Sequence, residues 1–354
     1  EESNMRKVKV LLLGVGGNVS QGILKTLRRN KIEDVDIEII GACIASDSLG
    51  LYMCDKGYIC PYADSEEFMP WLTQICNTEK IDLILTGVEE NIYKIEKCRK
   101  ELENHTDAVF ISCNMDQLQI GGDKYKTCEW LRKNGCNYPD YCLPEDKEAV
   151  EQLINNYGFP LIAKPRIGKG SAGVKTVHTI EEIRDILNQD YVLEECVGTK
   201  EDEYTVGCYC DKTGELRDII ILHRKLRNGA TAWAKVVENE KIREEAIKIC
   251  KAFKPRGPLN IQMRISEQGK PVCFELNVRF SGTTAIRDYF GFKDVKAQIK
   301  EYILEQDIKD CFNIGAGEVY RYTEELYLPA GITEKMEQDK KIEDINCDKG
   351  MWSI

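Results

Sequence analysis

Histidine is scarce in this chain: three in 354 residues, His105, His178 and His223, widely scattered. The 16 cysteines contain no Cys-x-x-Cys pair. Zinc centres draw on those two residue types at short spacing, so none is expected. No apolar run approaches the roughly 20 residues that cross a bilayer, and no leader pattern opens the chain. The expectation is therefore a cytoplasmic protein without a membrane partner, its thiols reduced and mostly buried. Basic residues are outnumbered, 49 Lys and Arg against 60 Asp and Glu, for a net charge of −11. A nucleic-acid platform shows the opposite imbalance, so nucleic acid is not an expected partner, although a basic pocket can sit inside an acidic protein.

What is present reads as an ordinary globular chain, with 42% apolar and 31% charged residues. Its length exceeds one simple core and suggests two or three subdomains. The four residues ahead of Met5 read as a cloning remnant. From residue 8 to about 113, short apolar strands (8–13, 37–42, 81–86, 108–112) alternate with helical stretches (19–29, 65–77, 91–103). That alternation predicts a parallel sheet covered by helices, an α/β domain. From Asp123 the pattern changes to α+β. Helices over 124–134 and 147–157 lead to strand-like pairs, 160–166 with 174–178, then 191–197 with 203–211. Strands over 215–227 and 230–237, a helix over 241–253, a hairpin of 259–266 with 271–280, and helices over 285–290 and 294–304 follow. The last twenty residues, rich in Lys, Glu and Asp, read as a surface segment.

The hairpin carries the sharpest chemistry. Alternation puts Val272, Phe274, Leu276 and Val278 on one face, and Cys273, Glu275, Asn277 and Arg279 on the other. A turn centred on Gln268 and Gly269 places Gln262 opposite Glu275 and Asn260 opposite Asn277. Directly opposed residues have Cβ atoms about 5 Å apart. Gln262, Glu275 and Asn277 can thus converge on one cation through oxygen alone, which suits Mg²⁺ or Mn²⁺. Arg279 could grip a phosphate or carboxylate with its fork. The alternative is a hairpin whose polar face meets only water.

A second stretch, Lys164-Pro-Arg-Ile-Gly-Lys-Gly-Ser-Ala-Gly173, joins two strands, so it has neither the context nor the spacing of a P-loop. Its glycines and Ser171 leave backbone N–H groups free to approach phosphate oxygens, with Lys164 and Lys169 as cations. A flexible hairpin tip is the other reading.

Taken together, these pieces resemble the ATP-grasp superfamily, in particular its carbamoyl-phosphate synthase and carboxylate–amine ligase branch. The resemblance runs from Val8 to about Leu304 and rests on seven elements in order. They are Asp123-Lys124, Ala163-Lys164-Pro165, the Gly168–Gly173 loop, Leu193-Glu194-Glu195-Cys-Val197-Gly198, Glu203-Tyr204, Asn260-Ile-Gln262 and Glu275-Leu-Asn277-Val-Arg279. It implies a Rossmann-like parallel-sheet domain over 5–120, an ATP-grasp small lobe with linker helix and flap over 121–200, and a large lobe with the metal site over 201–320. A C-terminal surface segment over 321–354 completes the expected organisation. For residues it implies that Lys124 touches phosphate and Lys164 bridges adenine and the α-phosphate. Gly168, Lys169, Gly170, Ser171 and Gly173 close over the β- and γ-phosphates. Glu194, Glu195 and the backbone through Val197 read adenine, and Glu203 holds the ribose hydroxyls. Gln262, Glu275 and Asn277 ligate Mg²⁺ or Mn²⁺, with Gln at the first position leaving the occupancy of a second metal open.

The implied reaction activates a substrate carboxylate with ATP as an acylphosphate, which an amine or similar nucleophile then opens. Arg279 would steady the transferring group, with Lys164 beside it as the other catalytic cation. His223, Arg224 and Arg227 fall where relatives place basic residues, and Ser281, Gly282 and Thr283 sit where a helix could cap the substrate pocket. With one ATP-grasp unit and no glutaminase segment, carbamoyl phosphate synthesis itself is not expected. Small-molecule carboxylates and amines are the expected partners, with a homodimer allowed.

Two other classes stay open. Gly14-Val-Gly16-Gly17-Asn18-Val19 follows a strand and opens a helix, as in nicotinamide-dependent oxidoreductases. However, the fingerprint's third glycine is Val19, and the acid after the second strand, Asp47, makes only a partial match. In the ligase branch the same loop, with Gly16, Gly17 and Asn18, borders the carboxylate substrate; a turn needing glycine for tight packing is the plain alternative. A regulatory protein that binds ATP without turnover is the third class.

Overall fold

The computed structural model describes residues 5–168 and 170–343, which form two compact units. The first holds the described residues up to Met115, then Arg279–Ile314 and the described residues from Tyr322 on; the second holds Asp116–Val278 and Gly315–Arg321. These limits differ from the expected organisation: the chain passes back to the first unit at Arg279.

In the first unit, strands β1 (Arg6–Leu13), β2 (Val35–Cys43), β3 (Lys56–Ile59), β4 (Leu83–Thr86) and β5 (Val109–Phe110) are joined by parallel pairing; the alternating pattern predicts four of them, and β3 is the one it does not. Between them run α1 (Asn18–Arg29), α2 (Phe68–Glu79), α3 (Glu89–Lys97) and α4 (Arg99–His105). The helix expected over 91–103 is thus two helices meeting at Cys98. The sheet is buried because β1 contributes Val8, Val10 and Leu12 and α1 contributes Ile23, Leu24 and Leu27 to one core.

From Asp116 the second unit holds the rest of α5 (Met115–Gly122), which the sequence pattern did not suggest, then α6 (Lys124–Lys133). A four-stranded sheet in the order β6-β9-β7-β8 is built from β6 (Tyr141–Cys142), β7 (Leu161–Pro165), β8 (Lys175–Val177) and β9 (Tyr191–Glu195), backed by α7 (Lys147–Tyr157) and α8 (Ile180–Arg184). A six-stranded sheet follows in the order β14-β13-β10-β11-β12-β15. Its strands are β10 (Glu203–Cys210), β11 (Leu216–Arg227), β12 (Ala230–Val236), β13 (Gly257–Ile265), β14 (Pro271–Asn277) and β15 (Glu318–Tyr320), with α9 (Glu240–Phe253) against one face. The expected pairing of 191–197 with 203–211 does not form. β9 pairs with β6 and β7, and β10 with β11 and β13, so the link between them crosses from one sheet to the other.

The chain then returns to the first unit with α10 (Thr284–Tyr289), α11 (Asp294–Gln298) running into a π turn at Ile299–Ile303, α12 (Ile332–Asp339) and β16 (Lys341–Glu343). β16 adds antiparallel to β3, and Met336 and Ile342 join the first core. The described part of the expected C-terminal surface segment is therefore structural: two apolar side chains among the charges suffice to dock it. Residues 344–354 lie outside the described residues.

Candidate active site

Three strands carry a polar face built by register. Gln262 is opposite Glu275 and Asn260 opposite Asn277 across β13 and β14. On the other side of β13, Gln262 meets Thr205 and Arg264 meets Glu203 on β10. Residues two apart share a face, so Asn260, Gln262, Arg264, Glu203, Thr205, Glu275 and Asn277 project together. The Thr205 hydroxyl donates to Asn260 Oδ1 at 2.6 Å, which fixes the carboxamide beside the trio.

Beyond Gln262 the expected alternation stops. A bulge between Gln262 and Met263 pairs Met263 with Cys273 and leaves Phe274 as the extra residue. Cys273 therefore lies in the buried layer with Met263, while Phe274 joins the polar face. Its ring receives the Lys164 Nζ at 5.0 Å and the Arg264 guanidinium at 5.4 Å from the centroid. Burial holds the Cys273 thiol well above its ordinary pKa, so it stays neutral.

From β7 and β9 of the smaller sheet come Lys164 and Glu194, joined Nζ to Oε2 at 2.5 Å, with Glu194 almost wholly buried. A cation, a buried carboxylate and an aromatic ring thus meet at one place. Glu195, the next residue, points away: its carboxylate accepts the Asp140 N–H at 2.9 Å, and burial raises its pKa. Val197 is buried just beyond β9. Asp123 caps α6 by accepting from the Tyr125 and Lys126 N–H groups, and it binds Arg166 Nη2 at 2.7 Å. The Lys124 N–H donates to the Arg166 carbonyl and its Nζ to the Gly168 carbonyl, at 2.9 and 3.2 Å. Asp123-Lys124 therefore anchors the root of the glycine-rich loop. Along that loop Gly168, Gly170, Ser171 and Gly173 are exposed, and Gly170, Ser171 and Gly173 adopt positive φ. Lys169 lies outside the described residues.

Glu203 sits between two arginines. Arg224 donates to its Oε1 through Nε (3.2 Å) and Nη2 (2.8 Å), and Arg264 to its Oε2 with the same two distances. Burial works to raise this carboxyl, but the two guanidiniums prevail and hold it below the usual range. Four N–H contacts use the acceptor positions of a carboxylate, so ribose would have to displace one of them. Arg224 faces this site. His223, one residue earlier, faces the opposite side, stacked on Tyr204 with centroids 5.0 Å apart and bonded to the Glu201 carbonyl. The basic run of 223–227 therefore does not act as one patch. Arg227 is exposed at the strand's end.

The first unit holds the remaining sequence candidates. Arg279 sends Nε and Nη2 to Glu89 Oε1, both at 2.8 Å, and Nη1 to the Phe280 carbonyl. Ser281 does not cap a helix: the N-cap of α10 is Thr283, and the buried Ser281 and Thr283 hydroxyls bond each other at 2.8 Å. A Cβ on Gly282 would come 2.8 Å from Asn18 Nδ2. In the opening loop, a Cβ on Gly16 would meet Ser48 Oγ at 2.9 Å, and Gln21 donates to the Gly16 carbonyl at 3.0 Å. Gly17 is the N-cap of α1, and its N–H donates to the Gly14 carbonyl. Packing alone thus accounts for glycine at position 16.

Phe274 and Arg264 were not among the site residues expected from the sequence. A bulge brings in the first, and the second needs the pairing of β10 with β13, strands 61 residues apart at Glu203 and Arg264.

Residues 121–283 match the ATP-grasp domain family, and residues 10–109 match the PylC-like N-terminal domain. The carbamoyl-phosphate synthase of Methanobrevibacter smithii is 24% identical over 181 residues, 50% of this chain and 46% of the relative. The carbamoyl phosphate synthase large chain of Clostridium acetobutylicum is 25% identical over 314 residues, 78% of this chain and 28% of the relative. The chain thus spans less than half the length of these curated relatives. Among solved structures, the ADP complex of an N5-carboxyaminoimidazole ribonucleotide synthetase has a TM-score of 0.67 at 17% identity, covering 86% of this chain and 78% of that one. The biotin carboxylase domain of the Hydrogenobacter thermophilus 2-oxoglutarate carboxylase, solved with MgADP and bicarbonate, has a TM-score of 0.67 at 16% identity, covering 88% and 73%. These likenesses show the fold, and the nicotinamide reading of the opening loop gains nothing from them.

Proposed function

We propose that this chain, whose residues 121–283 match the ATP-grasp domain family, is a ligase which activates a carboxylate with ATP and couples it to an amine or similar nucleophile. The observation that carries the reading is the shared polar face: Gln262, Glu275 and Asn277 in register, with the Lys164–Glu194 pair reaching Phe274 on the same side. Lys164, Glu194 and the Phe274 ring suit an adenine and its first phosphate. Lys124 and the loop from Gly168 to Gly173 suit the outer phosphates, since exposed N–H groups and a cation favour phosphate oxygens. The donor set fits a hard divalent cation, being oxygen-only with one carboxylate and two carboxamides. Bound there, such an ion would neutralise charge on the phosphoryl group in transfer.

In the proposed cycle the substrate carboxylate attacks the γ-phosphorus, ADP leaves, and the acylphosphate forms. An amine then displaces phosphate from the acyl carbon. Arg279 is the proposed catalytic cation of the first unit, where it would exchange Glu89 for an anion. Glu203 holds Arg224 and Arg264 in place rather than reading ribose alone.

Thermal melts test the reading. MgATP at 100 times its dissociation constant should stabilise the chain by about 2.7 kcal/mol. A shift with NAD and none with MgATP would sink the proposal. Glu275→Gln should abolish ADP formation while the melt stays cooperative; undiminished turnover would remove Glu275 from the site. If no carboxylate and amine pair ever stimulates ADP release, the binding-only reading wins.

A further inference from the structure

Strand β15 lies at the edge of the six-stranded sheet and belongs to none of the sequence motifs. It joins only β12 in that sheet, with Val319 opposite Ala234 and Tyr320 opposite Trp233. The pairing continues for one more bond, from the Arg321 N–H to the Ala232 carbonyl at 2.8 Å. Ala234 is itself opposite Arg224 on β11. Val319 therefore stands in the row that runs Arg264, Glu203, Arg224, Ala234 across four strands. Side chains two apart share a face, so Arg321 emerges on the face of Arg224, Gln262 and Glu275.

The neighbouring tyrosines, Tyr320 and Tyr322, are largely exposed, whereas Arg321 is half-buried. Burial first, and then the Arg224 guanidinium, push its pKa down. The Arg321 and Arg224 guanidiniums thus lie on one face within each other's field, an arrangement that suits a multiply charged anion.

The site also indicates where that anion runs. Lys164, Glu194 and Phe274 mark one end. At the other, β11 leads from Arg224 into the turn at Asn228 and Gly229, where a Cβ on Gly229 would lie 2.8 Å from the Gly170 carbonyl. The tip of the glycine-rich loop thus rests against the turn of the arginine-bearing strand.

We propose that Arg321 is a further anion-binding residue of this site, its guanidinium acting with that of Arg224 on the outer phosphates of the nucleotide. The inference rests on the ATP reading above and adds a residue and a role to it. A guanidinium fork matches phosphate oxygens in pairs, which a lysine cannot reproduce.

Calorimetric titration of MgATP, MgADP and AMP into the wild-type chain, Arg321→Gln and Arg321→Lys tests it. Arg321→Gln should weaken MgATP by about 10- to 100-fold, the range for a lost charge-assisted bond. AMP, lacking the outer phosphates, should keep its affinity within about twofold. Arg321→Lys should recover part of the loss, and it carries the same comparison should Arg321→Gln not fold. Equal losses for MgATP and AMP would mean a structural role and overturn the proposal, as would an unchanged MgATP affinity in Arg321→Gln. If the wild-type chain binds AMP and MgATP equally well, the phosphate assignment falls while adenine binding stands. If it binds neither, the ATP reading itself fails.

Discussion

Replacing Glu203 with Gln asks whether one buried carboxylate organises the arginine row. Its side chain is 6% exposed, and those of Arg224 and Arg264 are 10% and 22% exposed. Screening by solvent is therefore weak, and the pairs belong to the buried class. Each arginine places two N–H groups on its own carboxylate oxygen, so an amide keeps one acceptor oxygen and turns an NH₂ toward the other guanidinium. One pair survives and the other becomes donor against donor. Removing one partner of a buried pair costs about 3–5 kcal/mol. In a unit of this size each kcal/mol lowers Tm by about 2–4 °C, so the variant should melt roughly 6–20 °C below the wild type.

The sign with pH follows from the lowered carboxyl. Its stabilisation is present above the unfolded pKa of about 4.3 and is lost as pH falls through the lower folded value. The gap between wild type and variant should therefore be full at pH 7 and shrink toward pH 3. Calorimetric melts of both chains at pH 7, 5 and 3 give the answer. A variant melting within about 2 °C of wild type at pH 7, about 1 kcal/mol or less, would refute the organising role.

Two further outcomes are expected. Asp123→Ala removes the α6 cap and the Arg166 bond together, so it should cost about 1–2 kcal/mol from the cap alone and raise KM for ATP; a lowered Tm with unaltered KM would detach Asp123 from the loop. Burial pushes Asp294, in the first unit, up to about 7 despite the Arg287 charge. The folded chain then holds a proton that the unfolded chain has released, so this group's stabilisation is full below about pH 4 and declines toward pH 7 by about 1.4 kcal/mol per unit. Asp294→Asn should flatten that decline, and parallel Tm curves for the two chains from pH 5 to 7.5 would contradict it.

The parts of this fold legible in the sequence are those set by local periodicity. The helix expected over 147–157 occupies those residues, because an Asp146 cap and a Gly158 stop flank an apolar stripe. The parallel sheet followed from alternation of strand and helix. Contacts between distant strands were not legible: nothing local says that β10 chooses β13 and β11 over β9, so neither the pairing of Arg264 with Glu203 nor the place of Arg321 could be read. The docking of Met336 and Ile342 failed for the same reason, since a segment's charge describes its outer side only.

The hairpin of β13 and β14 shows both limits. Counting from the turn placed Gln262 opposite Glu275, and the structure has that pair. Counting by twos along β14 put Phe274 with Leu276 and Cys273 with Glu275, and there the structure departs. One inserted residue reconciles the two: a bulge shifts the turn side of the hairpin by one and leaves the other side in the expected register. The shift puts a neutral thiol into the buried layer and an aromatic ring between Lys164 and Arg264. The residue that broke the pattern is therefore the one that ties the polar face of the larger sheet to the lysine of the smaller one, and it is there that a planar base would find both a ring and two cations.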